Sequence, residues 1–546
     1  MALTGQRRRA FSAVGLTASL ALVLASCADT ENIDGGGNSE EDGGGGSISV
    51  GTTDVVTSLD PAGSYDNGSF SVQNQVYPFL LNTPYGSPDV EPDIAESAEF
   101  TGPTEYTVTL KEGLTFANGN ELTSSDVKFS FDRQLEIADP NGPSSLLYNL
   151  DSVEAPDDLT VVFTLNSEDD QTFPQILSSP VGPIVDEEVF SATELSSSED
   201  IVEGNAFAGQ YTITDYTENE LIRYQAFEDY DGLLEPAETD VVTAQYFTEE
   251  TQLKLAVQQG DIDLAFRNLS PTDLGDLRED ENVTVHDGPG GEIRYIVFDF
   301  NTQPFGAETE DADEAQALAV RQAAANLLDR EALSEEIYQG TYTPLYSYVP
   351  EGLTGAVEPL LEMYGDGEGG PDAEAAASVL EDAGVETPVE LNLQYSPDHY
   401  GNSSDEEYAM IESQLEADGL FEVNLQSTLW DTYNAERVEG VYPAYQLGWF
   451  PDYSDADNYL SPFFQEDNFL VNGYSNTEVQ DTILEQTSTA DEAERTALIE
   501  EAQELVAEDL STLPYLQGAQ VAVSGNDING VTLDASFKFR YAPLSR

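Results

Sequence analysis

Cysteine is almost absent from this chain of 546 residues: Cys27 is the only one. No intramolecular disulfide can form, and no zinc site can be built from thiolates. Histidine is nearly missing as well. His286 and His399 cannot assemble a histidine-rich metal centre, and each reads as a surface or turn residue. Positive charge is the third shortage, with 18 basic side chains against 105 acidic ones and a formal net charge of −87. Only four of the basic residues are lysines. A polyanion of this kind is repelled by nucleic acid and by anionic lipid, which excludes both as surface partners. Also missing are a Gly-x-Ser-x-Gly elbow, a His-Glu-x-x-His pair, a Walker loop and a dinucleotide fingerprint after a strand. General acid–base chemistry would fall on carboxylates alone, and their abundance makes any one pair uninformative. A carboxylate-dependent secreted hydrolase is therefore a minor reading, as is an adhesin or chaperone-like surface protein.

What is present is a folding chain. Hydrophobic residues make up 40% and aromatics 10%, and the length exceeds what one core usually supports, so two or more packed units are expected. The acidity reads as surface solvation in saline surroundings, with attraction of cationic solutes as the alternative. At the amino terminus Arg7-Arg8-Arg9 precedes an apolar run, residues 11–25, that is too short to span a bilayer. Leu24-Ala25-Ser26-Cys27 resembles the lipobox of bacterial lipoprotein signal peptides, which implies cleavage after residue 26 and a diacylglycerol on the Cys27 sulfur. Arg8-Arg9-Ala10-Phe11 also resembles a twin-arginine export motif, with Arg7 in place of the usual Ser or Thr. Cleavage removes three arginines and no acid, so the net charge becomes still more negative. Residues 27–46, rich in Gly, Asp and Glu, read as a flexible tether.

Beyond the tether the pattern mixes strands and helices. Residues 48–51 and 104–110 read as strands, and residues 315–328 as a helix opened by acidic residues. Residues 492–510 carry Ala497, Leu498, Leu505 and Val506 at helical spacing, a face expected to pack on a sheet. The Gly-rich break at 365–371 reads as a loop within a domain.

The most informative segment is Gly448-Trp449-Phe450-Pro451-Asp452-Tyr453-Ser454-Asp455-Ala456-Asp457-Asn458-Tyr459-Leu460. An aromatic strand, residues 445–450, delivers Asp452 just past Pro451, which ends ladder pairing. Trp449, Phe450 and Tyr453 surround that carboxylate with apolar surface, where an ionised group needs a cationic partner. Such a carboxylate suits a ligand ammonium. The plain alternative is a core strand followed by an acidic turn. A calcium loop on Asp455 and Asp457 lacks its glycine and closing Glu.

The same segment resembles the most distinctive motif of the family 5 solute-binding proteins, the oligopeptide- and dipeptide-binding components of ABC importers. Ser58-Leu59-Asp60-Pro61, Leu122-Thr123-Ser124-Ser125-Asp126-Val127, Val320-Arg321-Gln322-Ala323, Leu328-Asp329-Arg330-Glu331 and Gly473-Tyr474-Ser475-Asn476 follow in the family's order. The resemblance implies an α/β periplasmic-binding-protein-like fold of two lobes joined by a hinge. Lobe one would comprise 47–76, 205–291 and 514–546, with a subdomain inserted at 77–204, and lobe two would be 292–513. It implies that Asp452 pairs with a peptide α-ammonium, that Gly448 and Phe450 offer backbone groups, and that Trp449 forms an aromatic wall beside Tyr453. Asn67, with Tyr65 and Gly68 beside it, falls where the other lobe supplies a pairing strand. Arg294 and Tyr295 are candidates to meet the ligand carboxylate. It further implies an exported, lipid-anchored monomer at the outer face of the cell membrane. There it would deliver short peptides to permease subunits and their ATPases, without cofactor, metal or catalysis. Relatives that carry nickel chelates, haem, glutathione or oligosaccharides keep other ligands open.

Overall fold

Two long antiparallel strands, Val283–Phe298 and Thr512–Gly525, form the spine of the molecule. They pair from Val283 with Gly525 to Pro289 with Ala519, lose register, and resume at Ile293 with Gln517. The break has a packing cause. The backbones approach so closely that a Cβ on Gly290 would lie 2.0 Å from Gly518 O, an approach that only glycine permits. Gln517 Nε2 donates to Gly290 O at 2.9 Å, which satisfies a carbonyl that the interrupted ladder leaves free.

The computed structural model describes residues 46–546 apart from Asn268, Asn402 and Asp467. The leader, Cys27 and all but the last residue of the tether lie outside the described residues. On one side of the spine's break, Val283, Val521, Ala522 and Val523 join apolar clusters with residues such as Ile48, Val50, Leu253 and Leu264. On the other side, Ile293, Tyr295, Val297, Leu513 and Leu516 belong to the largest cluster, built almost wholly from residues 293–516. The two strands thus pass from one core to another.

The spine sits within an eleven-stranded mixed sheet. Toward one edge Ser47–Thr52 lies parallel to Leu264–Phe266 and Val241–Tyr246. Toward the other, Val389–Tyr395 lies parallel to Phe421–Ser427 and Ala444–Trp449. Helices Ser404–Glu416 and Trp430–Val438 link these last three strands in succession, the crossover that parallel pairing requires. The aromatic strand therefore ends among the carboxyl ends of parallel strands, where open α/β sheets place their ligands.

A separate four-stranded antiparallel sheet, ordered Ala95–Gly102, Glu105–Leu110, Thr160–Leu165 and Leu150–Asp157, has its own apolar cluster. Helix Ser124–Ile137 borders it, opened by a capping box between Thr123 and Asp126. Its Arg133 makes a bidentate pair with fully buried Asp60, at 2.7 and 2.6 Å. The motifs around Asp60 and Asp126 are thus scaffold, tying the amino-terminal strand's loop to this helix.

The expected strands and helices appear as Ser47–Thr52, Glu105–Leu110, Glu314–Leu327 and Glu492–Asp509. One packing expectation fails. The last helix buries Ile499, Ala502, Val506 and Ala507, leaves Ala497 exposed, and packs mainly on helix Thr477–Ser488. The buried stripe is rotated one residue from the pattern read in sequence and includes Gln503, which donates to Gly355 O at 2.6 Å.

Candidate ligand-binding site

A cavity of about 440 Å³ opens where the spine's break, the end of the aromatic strand and the start of helix Asn67–Val76 meet. Asn67, Arg294, Phe450, Pro451, Asp452 and Tyr453 line it. Its volume falls in the range of small-molecule sites, roughly 300–1,000 Å³.

Asp452 is held from three directions. The Tyr65 phenol donates to its Oδ1 across 387 residues of sequence. Asn458 Nδ2 donates to Oδ2 at 3.2 Å. The Asp452 backbone N–H donates to Asn458 Oδ1 at 2.9 Å. Trp449 Nε1 donates to the same Oδ1 at 3.0 Å, while its ring packs edge-on against Phe463 at 5.1 Å. Trp449 therefore positions Asn458, and Asn458 positions the carboxylate. Burial raises the Asp452 carboxyl above its ordinary value, and the hydrogen bonds from Tyr65 and Asn458 pull it partly back. Among the described residues no ion pair within 4.0 Å includes Asp452. The carboxylate is anchored, half-buried on the cavity wall and without a countercharge. Replacing Tyr65 by phenylalanine removes a bond to the charged form. The carboxyl should then rise further, moving the acid limb of ligand binding to higher pH; calorimetric titrations across pH on both proteins check this.

The other sequence candidates separate. Phe450 is 44% exposed at the cavity mouth, and Tyr453 packs toward the small sheet's cluster. Gly448 lies in the ladder opposite Arg294, off the cavity wall; a Cβ there would meet Tyr400 Cε1 at 2.9 Å, and it is Tyr400 that faces the cavity. Tyr295 is buried, donating to Gly448 O at 3.4 Å. Asn67 reaches the cavity, but from the first turn of a helix and not from a pairing strand. Asp66 caps that turn by accepting from Ser69 N at 2.8 Å, which commits the backbone to helix. Gly68 is buried with Val55 O only 2.1 Å from where a Cβ would stand, so it serves packing.

Arg294 lines the cavity with every donor engaged. Nε bonds Glu292 at 3.2 Å; Nη1 bonds Tyr338 and Glu407, the latter at 2.9 Å; Nη2 bonds the Tyr342 hydroxyl at 2.9 Å and Tyr400 O. A guanidinium has five N–H groups, so a ligand carboxylate would have to displace one of these partners. Asp455 is paired with Arg495 at 2.7 Å, and Asp457, which burial pushes up to about 7, accepts from Ser461 and Gln486. Those acids hold the loop beneath the site.

Sequence reasoning missed Asn458, His399 and Lys538. Asn458 lay inside the motif, six residues past Asp452. His399 does sit in a turn, yet it lines the cavity, stacked on Trp430 at 3.5 Å. Burial lowers its imidazole below the ordinary value, with Asp398 opposing. Nothing in its sequence neighbourhood marks it.

Residues 89–470 match the family model described as bacterial extracellular solute-binding proteins, family 5, middle. The chain belongs to that family. It is 26% identical over 501 residues to the heme-binding protein A of Haemophilus influenzae, covering 86% of this chain and 87% of that one. It is 22% identical over 508 residues to the dipeptide-binding protein of Escherichia coli, covering 88% and 90%. The structure of HbpA2 from Haemophilus parasuis superposes with a TM-score of 0.77 at 20% identity, over 92% of this chain and 99% of that one. The fold is thus the two-lobed α/β fold of periplasmic binding proteins. The family consists of bacterial extracellular solute-binding proteins, the substrate-binding components of ABC importers. Among the described residues no helix is long and apolar enough to cross a membrane.

Proposed function

We propose that this family member captures short peptides with a free amino terminus, the α-ammonium pairing with Asp452, and delivers them as a monomer to a membrane permease driven by ATPase subunits. The observation that carries this reading is the anchored carboxylate with no cation beside it, on the wall of a cavity of ligand size. A bound ammonium would supply the missing charge and would meet Asp452 where water is scarce and the attraction strong. The two cores joined by the Gly290–Gly518 crossing suit a hinge. The bond from Tyr65 to Asp452 would then join the moving parts in the closed form. The lobe limits proposed are 47–76, 205–291 and 514–546 for lobe one, 77–204 for its inserted subdomain, and 292–513 for lobe two.

A thermal-shift screen of di- to pentapeptides beside glutathione, haem, a nickel chelate and an oligosaccharide tests the ligand class, since a bound solute raises the melting temperature. Stabilisation by peptides is expected. Stabilisation by haem or a chelate alone overturns the peptide reading. Glu250 also lines the cavity; loss of peptide binding in Glu250→Gln but not in Asp452→Asn would move the ammonium site there.

We further propose that Cys27 carries the membrane anchor. The tether offers no apolar face and no basic patch of its own. Cys27→Ser should therefore release the protein into the soluble fraction, and membrane association that persists in high salt would reveal another anchor.

A further inference from the structure

A second charged group stands on the cavity wall without an ion pair. Lys538, in the segment after strand Thr512–Gly525, lines the same cavity as Asp452. Its ammonium donates to Ser178 O at 2.9 Å, to Ser178 Oγ at 2.6 Å and to Asn82 Oδ1 at 3.3 Å, and it lies 5.7 Å from the centroid of the Phe79 ring. Every one of these partners is neutral. Among the described residues no ion pair within 4.0 Å includes Lys538.

The neighbourhood is more positive still. Arg540, two residues on, is buried, and its Nη2 donates to the same Asn82 Oδ1 at 2.9 Å and to Thr83 Oγ1 at 2.8 Å. Its Nη1 has no hydrogen-bond partner among the described residues. Two cations therefore converge on one carboxamide oxygen. Burial lowers the Lys538 ammonium well below its ordinary value, Arg540 adds to this, and the more distant Asp93 and Asp534 offset it only in part. Asp93 accepts from Asn82 Nδ2 at 3.3 Å, one side chain away, but the groups that meet the two cations directly are Ser, Thr and Asn.

Arg321 and Arg330 are also buried, and each bonds a backbone carbonyl, but neither lines the cavity. They are core cations satisfied by the fold. Lys538 differs because it borders a space that a ligand can enter. Arg294, the cation expected there from sequence, already pairs with Glu292 and Glu407, whereas the three N–H groups of Lys538 meet neutral oxygens only, one of which a ligand carboxylate would displace.

We propose that Lys538 receives an anionic group of the ligand, so that the cavity takes a zwitterion with its ammonium at Asp452 and its carboxylate at Lys538. This rests on the peptide reading and adds the ligand's second charge. An arriving carboxylate offsets the repulsion between Lys538 and Arg540 and favours the protonated lysine, so binding and protonation of Lys538 support each other.

Trialanine and trialanine amide are the probes, on the native protein and on Lys538→Gln and Lys538→Arg. Isotope labelling of the lysine side chains gives four ammonium signals to follow by NMR, and the variants assign that of Lys538. Trialanine should bind the native protein at least tenfold more tightly than its amide. That preference should vanish in Lys538→Gln and persist in part in Lys538→Arg. Trialanine should move the Lys538 signal and leave those of Lys111, Lys128 and Lys254 still. If Lys538→Gln does not fold, the comparison on the native protein with the Lys538→Arg assignment decides. Equal binding of the two probes with an unmoved Lys538 signal overturns the proposal while leaving peptide binding intact. If neither probe binds, the peptide reading fails separately, and acetate titrated at constant ionic strength becomes the test. A shift of the Lys538 signal then upholds the anion site, and no shift overturns it.

Discussion

Asp452→Asn is expected to weaken binding of a free-amine peptide by about 2–5 kcal/mol, roughly 30- to several-thousand-fold, and to leave an N-acetylated peptide nearly unaffected. The substitution preserves shape and keeps an oxygen for Tyr65, so lost packing cannot account for such a loss. What disappears is the countercharge, which leaves a ligand ammonium desolvated and unpaired. Calorimetry with both peptides on both proteins measures the effect. Equal affinity of the native protein for the two peptides would sink the assignment. Protonation should mimic the mutation. Burial raises the carboxyl in the free protein, and a bound ammonium favours its charged form, so affinity falls as pH drops through the raised value. Asp452→Asn should lack this acid limb. Without ligand the sign reverses. A carboxyl raised by burial holds its proton more tightly folded than unfolded, so its contribution to stability is greatest below the ordinary carboxylate value and declines as pH rises through the raised one.

The sequence made local elements visible where capping and periodicity agreed. Asp313 before Glu314–Leu327 and Asp491 before Glu492–Asp509 accept from the first-turn amides, and those starts were readable. Facing partners were not, because periodicity marks an apolar stripe and is silent on what covers it; the last helix met another helix. Asn67 shows a different gap. Resemblance to a family motif placed it on a strand, whereas Asp66, which accepts from Ser69 N, caps the start of a helix there. The site divides the same way. Asp452, Phe450 and Tyr453 were visible because one short segment holds them. Tyr65 entered only through resemblance, and its bond to Asp452 crosses nearly the whole chain. Lys538 meets Asn82 and Ser178 from separate segments, and no local pattern announces such a meeting. Arg294 carried the right charge, but its five bonds come from five residues spread between 292 and 407, so its saturation is a property of the fold.

The second large effect concerns salt. Eighteen basic groups can neutralise only a minority of 105 acidic ones, and several are already committed. Lys254 serves both Asp273 and Asp276, Arg278 serves Asp287, and Arg133 is sequestered with Asp60. The remaining carboxylates lie on a folded surface, closer together than in the unfolded chain, so their repulsion opposes folding. Its range is about 30 Å at ~0.01 M salt and about 3 Å at ~1 M. At the low end a carboxylate feels charges across much of the molecule, and at the high end only its immediate neighbours. The melting temperature should therefore climb substantially between ~0.01 M and ~1 M sodium chloride. Screening is the cause, so sucrose at matched osmolarity should reproduce little of the rise. Isolated ion pairs such as Arg278–Asp287, at 2.6 Å, work in the opposite direction. Salt weakens them, but exposed pairs contribute only about 0–1 kcal/mol each, too little to offset relief spread over a charge of −87. A melting temperature flat across the salt range would show that the acidic surface carries no penalty for folding. The acidity would then be better explained by attraction of cationic solutes toward the cleft than by saline surroundings.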